Sequence, residues 1–214
     1  MKKVSIYIGR FSPFHNGHAE VLNLARRVSD LVIVLIGSAN KAKNPKNPWS
    51  FDERAKMIEA YNAAKDGCPV IIRQIRDYPY NDQKWIANVH NVINNTIDSL
   101  DCDKSQLDIR ITGADRDSTT FYLKFFPEFK LDLVEEDFEV SKHLNATSVR
   151  EILFGLSFNS VPISEGQAEL LLTSFLPRST VNFLSAYEKA NFQSLYPKVC
   201  LHFTATFLPF LFLP

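Results

Sequence analysis

Six consecutive aliphatic residues, Leu31-Val32-Ile33-Val34-Leu35-Ile36, leave the chain no polar face over that stretch. Such a strand has to be covered on both sides, as a central strand of a parallel sheet is. Strand-like segments recur around it, most followed by a helical pattern. Residues 4–9 lead to a helix over 19–28, 31–36 to one over 51–64, and 70–75 to one over 81–100; strands over 107–112 and 129–133 follow. Ser50 is placed to cap the second helix, with Glu53 three residues on to complete a capping box. Repeated strand–helix units predict an α/β fold, an open and mostly parallel five-stranded sheet flanked by helices with right-handed crossovers. From residue 147 the pattern turns helical, over 147–154, 165–174 and 179–191. The expected organisation is an α/β core over 1–144, helices of the same domain over 145–194, and an apolar tail over 195–214 whose role is open. That tail is too short and too interrupted by proline for a membrane span, which needs about 20 residues.

Ligands of open parallel sheets sit beyond the carboxyl ends of the strands. After the first strand the chain runs Gly9-Arg10-Phe11-Ser12-Pro13-Phe14-His15-Asn16-Gly17-His18 and enters a helix. Helix N-termini carry unpaired N–H groups and a partial positive charge, and residues three apart share a face. Both imidazoles can therefore reach one polyanion. Two histidines before a helix are ordinarily just polar loop residues, but this string combines several unusual residue types at one junction. A second helix start, Asn145-Ala146-Thr147-Ser148-Val149-Arg150, offers hydroxyls and a forked, permanent cation. By itself it reads equally well as a threonine cap followed by a surface arginine.

The chain carries 24 Lys and Arg against 24 Asp and Glu, so no basic field marks it as a nucleic-acid binder. Cys68, Cys102 and Cys200 are scattered, without metal-ligand spacing, and suggest a reducing compartment. With no apolar leader evident after Met1, the expectation is a cytoplasmic protein with neither nucleic-acid nor membrane partners. His90, His143 and His202 have no partners at ligand spacing, and Lys41 and Lys43 read as solvated loop charges.

Together, His15-Asn16-Gly17-His18 and the helix start ending Thr147-Ser148-Val149-Arg150 resemble the HxGH nucleotidyltransferase superfamily, with its Rossmann-like fold. Asn145 stands where that superfamily usually has a small residue, which puts the local backbone geometry in question. Gly37-Ser38-Ala39-Asn40, Lys46-Asn47-Pro48-Trp49 and Glu53-Arg54 narrow the resemblance to nicotinamide-mononucleotide adenylyltransferases of the archaeal type. The same pattern occurs in the N-terminal half of bifunctional enzymes that also carry a Nudix hydrolase, whose signature box is missing here. Arg76-Asp77-Tyr78-Pro79-Tyr80-Asn81-Asp82 with Trp85, and Gly113-Ala114-Asp115-Arg116-Asp117, fit the same group.

The resemblance implies transfer of the adenylyl group of ATP to nicotinamide mononucleotide, giving NAD and pyrophosphate. His15, His18 and Arg150 would be the catalytic residues, and Gly9, Arg10, Phe11, Gly113, Asp115, Thr147 and Ser148 would bind ATP. Lys46 would meet the mononucleotide phosphate, Trp85 would stack on the pyridinium, and Asp77 and Asn81 would hold the carboxamide or fix the loop. Mg²⁺ is expected on the ATP phosphates, with no protein metal cage. Replacing His18 by Ala is expected to cost about 10²–10³ in rate with stability nearly unchanged. Homo-oligomer formation is common among relatives, and whether a separate Nudix partner exists is open. The alternatives are another acceptor, such as nicotinate mononucleotide or phosphopantetheine, and a nucleotide-binding regulatory protein without turnover.

Overall fold

The computed structural model describes residues 1–63, 65–100, 103–114, 124–134, 145–155, 157–158 and 161–195. Five strands, β1 (Lys2–Gly9), β2 (Leu31–Ile36), β3 (Val70–Gln74), β4 (Leu107–Ala114) and β5 (Lys130–Val134), form one sheet in the order β3-β2-β1-β4-β5. Every neighbouring pair is parallel, with Ile6 opposite Ile33 on one side and Ile111 on the other. The strand order reverses direction at β1, and in open α/β sheets the crevice that takes ligands lies at such a switch point, beyond the carboxyl ends of the strands.

Strand alternation decides which helix covers which face. Val4, Ile6 and Ile8 of β1 join Ile33 and Leu35 beneath α3 (Asp82–Asp98), which contributes Val89, Ile93 and Ile97. Tyr7, Val32, Val34 and Ile36 face the other way, against α1 (Asn16–Val28) and α2 (Phe51–Ala63). On that face Thr112 donates to Ser5 Oγ at 2.9 Å and Ser5 meets Ser29 at 2.5 Å, so the buried hydroxyls satisfy one another. The later helices, α4 (Ala146–Gly155), α5 (Glu165–Phe175) and α6 (Arg178–Leu195), share a third cluster built on Val149, Ile152, Ala168, Leu172 and Val181. Phe183 and Leu184 of α6 also pack on the core beside α2. No helix among the described residues is long and apolar enough to cross a membrane.

The expected sheet is present, with β2 at its expected bounds. The first helix starts at Asn16 rather than 19, because His15 caps it. A two-residue hairpin, β6 (Ser157–Phe158) with β7 (Val161–Pro162), was not anticipated; two residues are too few to display alternation. The Ser50 capping box is formed, with Ser50 N–H donating to Glu53 Oε2 at 2.7 Å and Glu53 N–H to Ser50 Oγ at 3.3 Å.

Candidate active site

The β1–α1 loop lies at the crevice and is held from several sides. Its central residue, Phe11, adopts φ 51°, a left-handed conformation that is costly for a bulky residue. Its buried ring turns back over Gly9, where a Cβ would come within 2.7 Å of Phe11 Cζ. It also meets Tyr7 edge-on at 5.0 Å and His18 at 4.9 Å. Gly9 and the Phe11 side chain thus serve the loop's own packing, and the approach to the nucleotide was expected of their backbone rather than of that ring. The Ser12–Pro13 peptide in the same loop is cis.

His15 and His18 cap α1 reciprocally. His18 N–H donates to His15 Nδ1 and His15 N–H to His18 Nδ1, both at 3.3 Å. The rings stack with centroids 3.6 Å apart and 21° between planes. An Nδ1 that accepts a backbone proton cannot carry one, so each imidazole is the Nε2–H tautomer. The helix start thereby holds two stacked imidazoles at its positive end.

Arg150 reaches this loop from α4, 138 residues away in sequence. Its Nη1 donates to the Ser12 carbonyl at 2.6 Å and its Nη2 to Thr147 Oγ1 at 3.1 Å. Burial pushes its pKa down, and nearby Arg10 pushes it the same way. Arg10 is exposed at the crevice mouth. Asn145 resolves the question its presence raised: its Oδ1 accepts from Ser148 N–H at 2.9 Å, so it caps α4. The threonine cap considered from sequence is therefore replaced by an asparagine cap two residues earlier. Ser148, expected at ATP, is buried with its hydroxyl 3.4 Å from the same Asn145 oxygen, a capping role, whereas Thr147 is exposed.

Arg54 was quoted in the sequence pattern without a role, and it proves central. It is wholly buried and donates through Nη1 to the carbonyls of Arg10 and Gly37, both at 2.7 Å, and through Nε to Ser50 at 3.1 Å. Its Nη2 lies 3.5 Å from the Ser38 carbonyl. Burial lowers its pKa to about 10, partly offset by Asp77, so it remains a cation at neutral pH. Two buried guanidiniums thus grip the carbonyls on either side of Phe11, Arg54 at residue 10 and Arg150 at residue 12. Side-chain donors reaching backbone in remote loops leave no periodic trace, which is why sequence reading missed this.

Asp77 binds the loop after β2, accepting from Ser38 N–H at 3.1 Å and Ser38 Oγ at 2.8 Å. Its own N–H donates to Asn40 Oδ1 at 2.9 Å. Of the two roles expected for it, this geometry performs loop fixing, holding Ser38 at φ 55°. Asn81 is the N-cap of α3, accepting from Lys84 N–H at 2.9 Å. Trp85 follows one turn on, half-buried, 5.8 Å from Phe126. Lys46 is exposed at the tip of a turn closed between Asn44 and Asn47. Lys43 is not a free steering charge, since it pairs with Glu53 at 2.7 Å, and Lys41 lies 4.0 Å from Asp77. Gly113 is buried in β4, and Asp115 lies outside the described residues. Outside the site, His90 pairs with Glu128 at 3.1 Å.

The structure thus gathers His15, His18, Arg10, Thr147 and Arg150 at the β1–α1 loop. Asp77 joins them through the neighbouring loop, while Asn81 and Trp85 belong to the helix on the other face of the sheet.

Residues 6–148 match the model of the cytidylyltransferase-like family. A nicotinamide/nicotinic acid mononucleotide adenylyltransferase of Acinetobacter baylyi is 32% identical over 183 residues, covering 86% of this chain and 85% of that protein. The nicotinamide-nucleotide adenylyltransferase of Methanoculleus marisnigri is 36% identical over 86 residues, 40% of this chain and 50% of that one. A bifunctional NMN adenylyltransferase/ADP ribose pyrophosphatase from Francisella tularensis superposes with a TM-score of 0.68 at 29% identity, covering 94% of this chain and 53% of its own. A second structure of that Francisella enzyme contains AMP and a manganese ion, with a TM-score of 0.59 at 26% identity over 88% of this chain and 54% of that one. The chain therefore spans most of the Acinetobacter protein but about half the length of the archaeal and bifunctional ones. With the helix starts at His15 and Asn145 brought to one loop and these similarities in hand, the chain belongs to the cytidylyltransferase-like family, in the branch that holds the nicotinamide-nucleotide adenylyltransferases.

Proposed function

We propose that the chain joins the 5′-phosphate of nicotinamide mononucleotide to the adenylyl group of ATP, forming NAD. A phosphate oxygen of the mononucleotide attacks the α-phosphorus in line, and the bond to the bridging oxygen of pyrophosphate breaks. The substrate supplies the nucleophile, so the protein's work is alignment and charge stabilisation. His15 and His18 donate from Nε2 to the ATP phosphates, with His18 on the α-phosphate. Arg150, Thr147 and Arg10 hold the departing β- and γ-phosphates. Lys46 meets the mononucleotide phosphate, and Trp85 stacks on its ring. Residues 1–144 and 145–194 act as one catalytic unit, each contributing one helix start.

The observation that carries this reading is the Arg150 guanidinium seated 2.6 Å from the Ser12 carbonyl, in the loop that ends at the paired histidines. Arg10 lies close enough to Arg54 and to Arg150 to add to the burial that already disfavours the charge of each, which a polyanion would relieve. Magnesium enters as part of the substrate, carried on the triphosphate, as a hard cation that keeps phosphate and water oxygens as ligands. The Acinetobacter relative's name covers both pyridine mononucleotides, which favours nicotinate mononucleotide as a second acceptor.

The test is incubation with ATP, Mg²⁺ and each mononucleotide, with chromatographic separation of dinucleotides and assay of pyrophosphate. NAD and stoichiometric pyrophosphate are expected. Absence of both dinucleotides, with intact fold, overturns the assignment.

A further inference from the structure

Tyr80 occupies a position with two unexplained costs. Its backbone sits at φ 61°, and its ring is fully exposed. The turn is closed by Asn81 N–H donating to the Tyr78 carbonyl at 3.0 Å, with Pro79 at the second position and Tyr80 at the third. Positive φ at that third position is the type II pattern, whose ordinary occupant is glycine. The described residues offer the Tyr80 ring neither a hydrogen bond nor a stacking partner. A large aromatic is thus held in strain and in water without a structural reward, and such outliers point to function.

Its place on the helix gives the function a shape. Asn81 is the N-cap of α3, so Tyr80 is the residue before the cap and Trp85 is the fourth helical residue. Apolar side chains at those two positions commonly close on one another as a hydrophobic staple. Here the staple stands open: Trp85 is half-buried beside Phe126, and Tyr80 projects into solvent. The pair lies at the carboxyl end of β3, next to the Asp77 that anchors the ligand-facing loop.

We propose that Tyr80 and Trp85 are the two jaws of a clamp for a flat aromatic cation, with Tyr80 folding over the face of the pyridinium that Trp85 does not cover. The inference rests on the proposed function and assigns Tyr80 as a specificity-determining residue for the mononucleotide half. The ring's positive charge and flatness are what two aromatic faces recognise. Amidated and acid mononucleotides share both, so the clamp treats them alike. A reduced mononucleotide, with its uncharged and non-aromatic dihydropyridine, is not gripped this way.

The experiment compares Tyr80→Gly and Tyr80→Phe with the wild-type chain by steady-state kinetics and thermal melting. Glycine suits the backbone, so Tyr80→Gly melts at or above the wild-type temperature. Its KM for nicotinamide mononucleotide rises about 3–30-fold, the range of a lost cation–π contact, with KM for ATP unmoved. Tyr80→Phe stays within about twofold of wild type, because the face and not the hydroxyl makes the contact. With the reduced mononucleotide the glycine variant and wild type are indistinguishable. An unchanged mononucleotide KM in Tyr80→Gly, or an equal loss with oxidised and reduced substrates, overturns the clamp while leaving adenylyl transfer intact. A wild-type chain that forms no dinucleotide at all overturns the function and the clamp together.

Discussion

Replacing Arg54 by Met tests whether one buried cation sets the geometry of both loops at the crevice. The methionine keeps an aliphatic stem of similar reach but withdraws every donor. The carbonyls of Arg10 and Gly37, each bound at 2.7 Å, lose their partner, as does Ser50 at 3.1 Å. Hydrogen bonds to a charged group contribute about 1.5–3 kcal/mol each, so the gross loss of these three is about 4.5–9 kcal/mol. Against this, a guanidinium no longer has to be buried, a cost visible in its pKa falling from 12.5 to about 10. That drop offsets roughly 3 kcal/mol, which leaves a net destabilisation of about 3 kcal/mol and agrees with the usual cost of removing one member of a buried charged network. For a chain of this length the melting temperature falls by about 6–12 °C. Because the Arg10 carbonyl precedes the left-handed Phe11, the β1–α1 loop shifts as well, and kcat/KM for the proposed reaction falls by about 10–100-fold. Arg54→Lys keeps the charge but cannot fork between the two short contacts, so it recovers less than half of either loss. Scanning calorimetry and initial rates on the same preparations read both quantities. A melting point within about 2 °C of wild type refutes the energetic argument. A lowered melting point with full kcat/KM refutes the positioning argument.

His18→Ala loses about 10²–10³ in rate and, contrary to the expectation from sequence, about 1–2 kcal/mol of stability, because its Nδ1 caps α1. His18→Asn retains an acceptor near Nδ1 but no Nε2 donor, so it melts close to wild type while staying as slow as alanine. Equal stability for the two variants would falsify the reciprocal cap. Gly9→Ala drives a Cβ to 2.7 Å from a buried ring and destabilises by about 1–3 kcal/mol, measured by urea unfolding. The Asp108 carboxyl is held below its ordinary range by hydrogen bonding to Arg110. A depressed carboxylate stabilises the fold above its unfolded pKa and loses that contribution as pH falls through the folded value. Arg110→Met removes the cause, so the mutant gives up less stability than wild type as pH falls below the ordinary carboxylate range. Parallel acid-unfolding curves, differing only in overall offset, would count against it.

What was legible in the sequence was whatever repeats or stays local. A continuously apolar strand such as β2 and the Ser50–Glu53 box declare themselves within a few residues. The paired histidines are three apart, and their convergence followed from helical spacing alone. The role of Arg54 depended on three loops brought together by tertiary structure, so no window of sequence contains it. Lys43 looked solvated because its partner, Glu53, stands ten residues on, across a loop. Trp49, one of three residues in the Asn-Pro-Trp signature, is wholly buried against Phe154, a contact that spans more than a hundred residues. Tyr80 read as one more aromatic in a motif; only its backbone angle and exposure set it apart.

The mutual cap of His15 and His18 makes the first turn of α1 a two-part latch. Each ring accepts the backbone proton of the other residue, and the two rings lie against one another with centroids 3.6 Å apart. Neither histidine can be exchanged without taking from its partner both an acceptor and a packing face. The side chains that give this helix start its chemical character are therefore also the ones that hold it together.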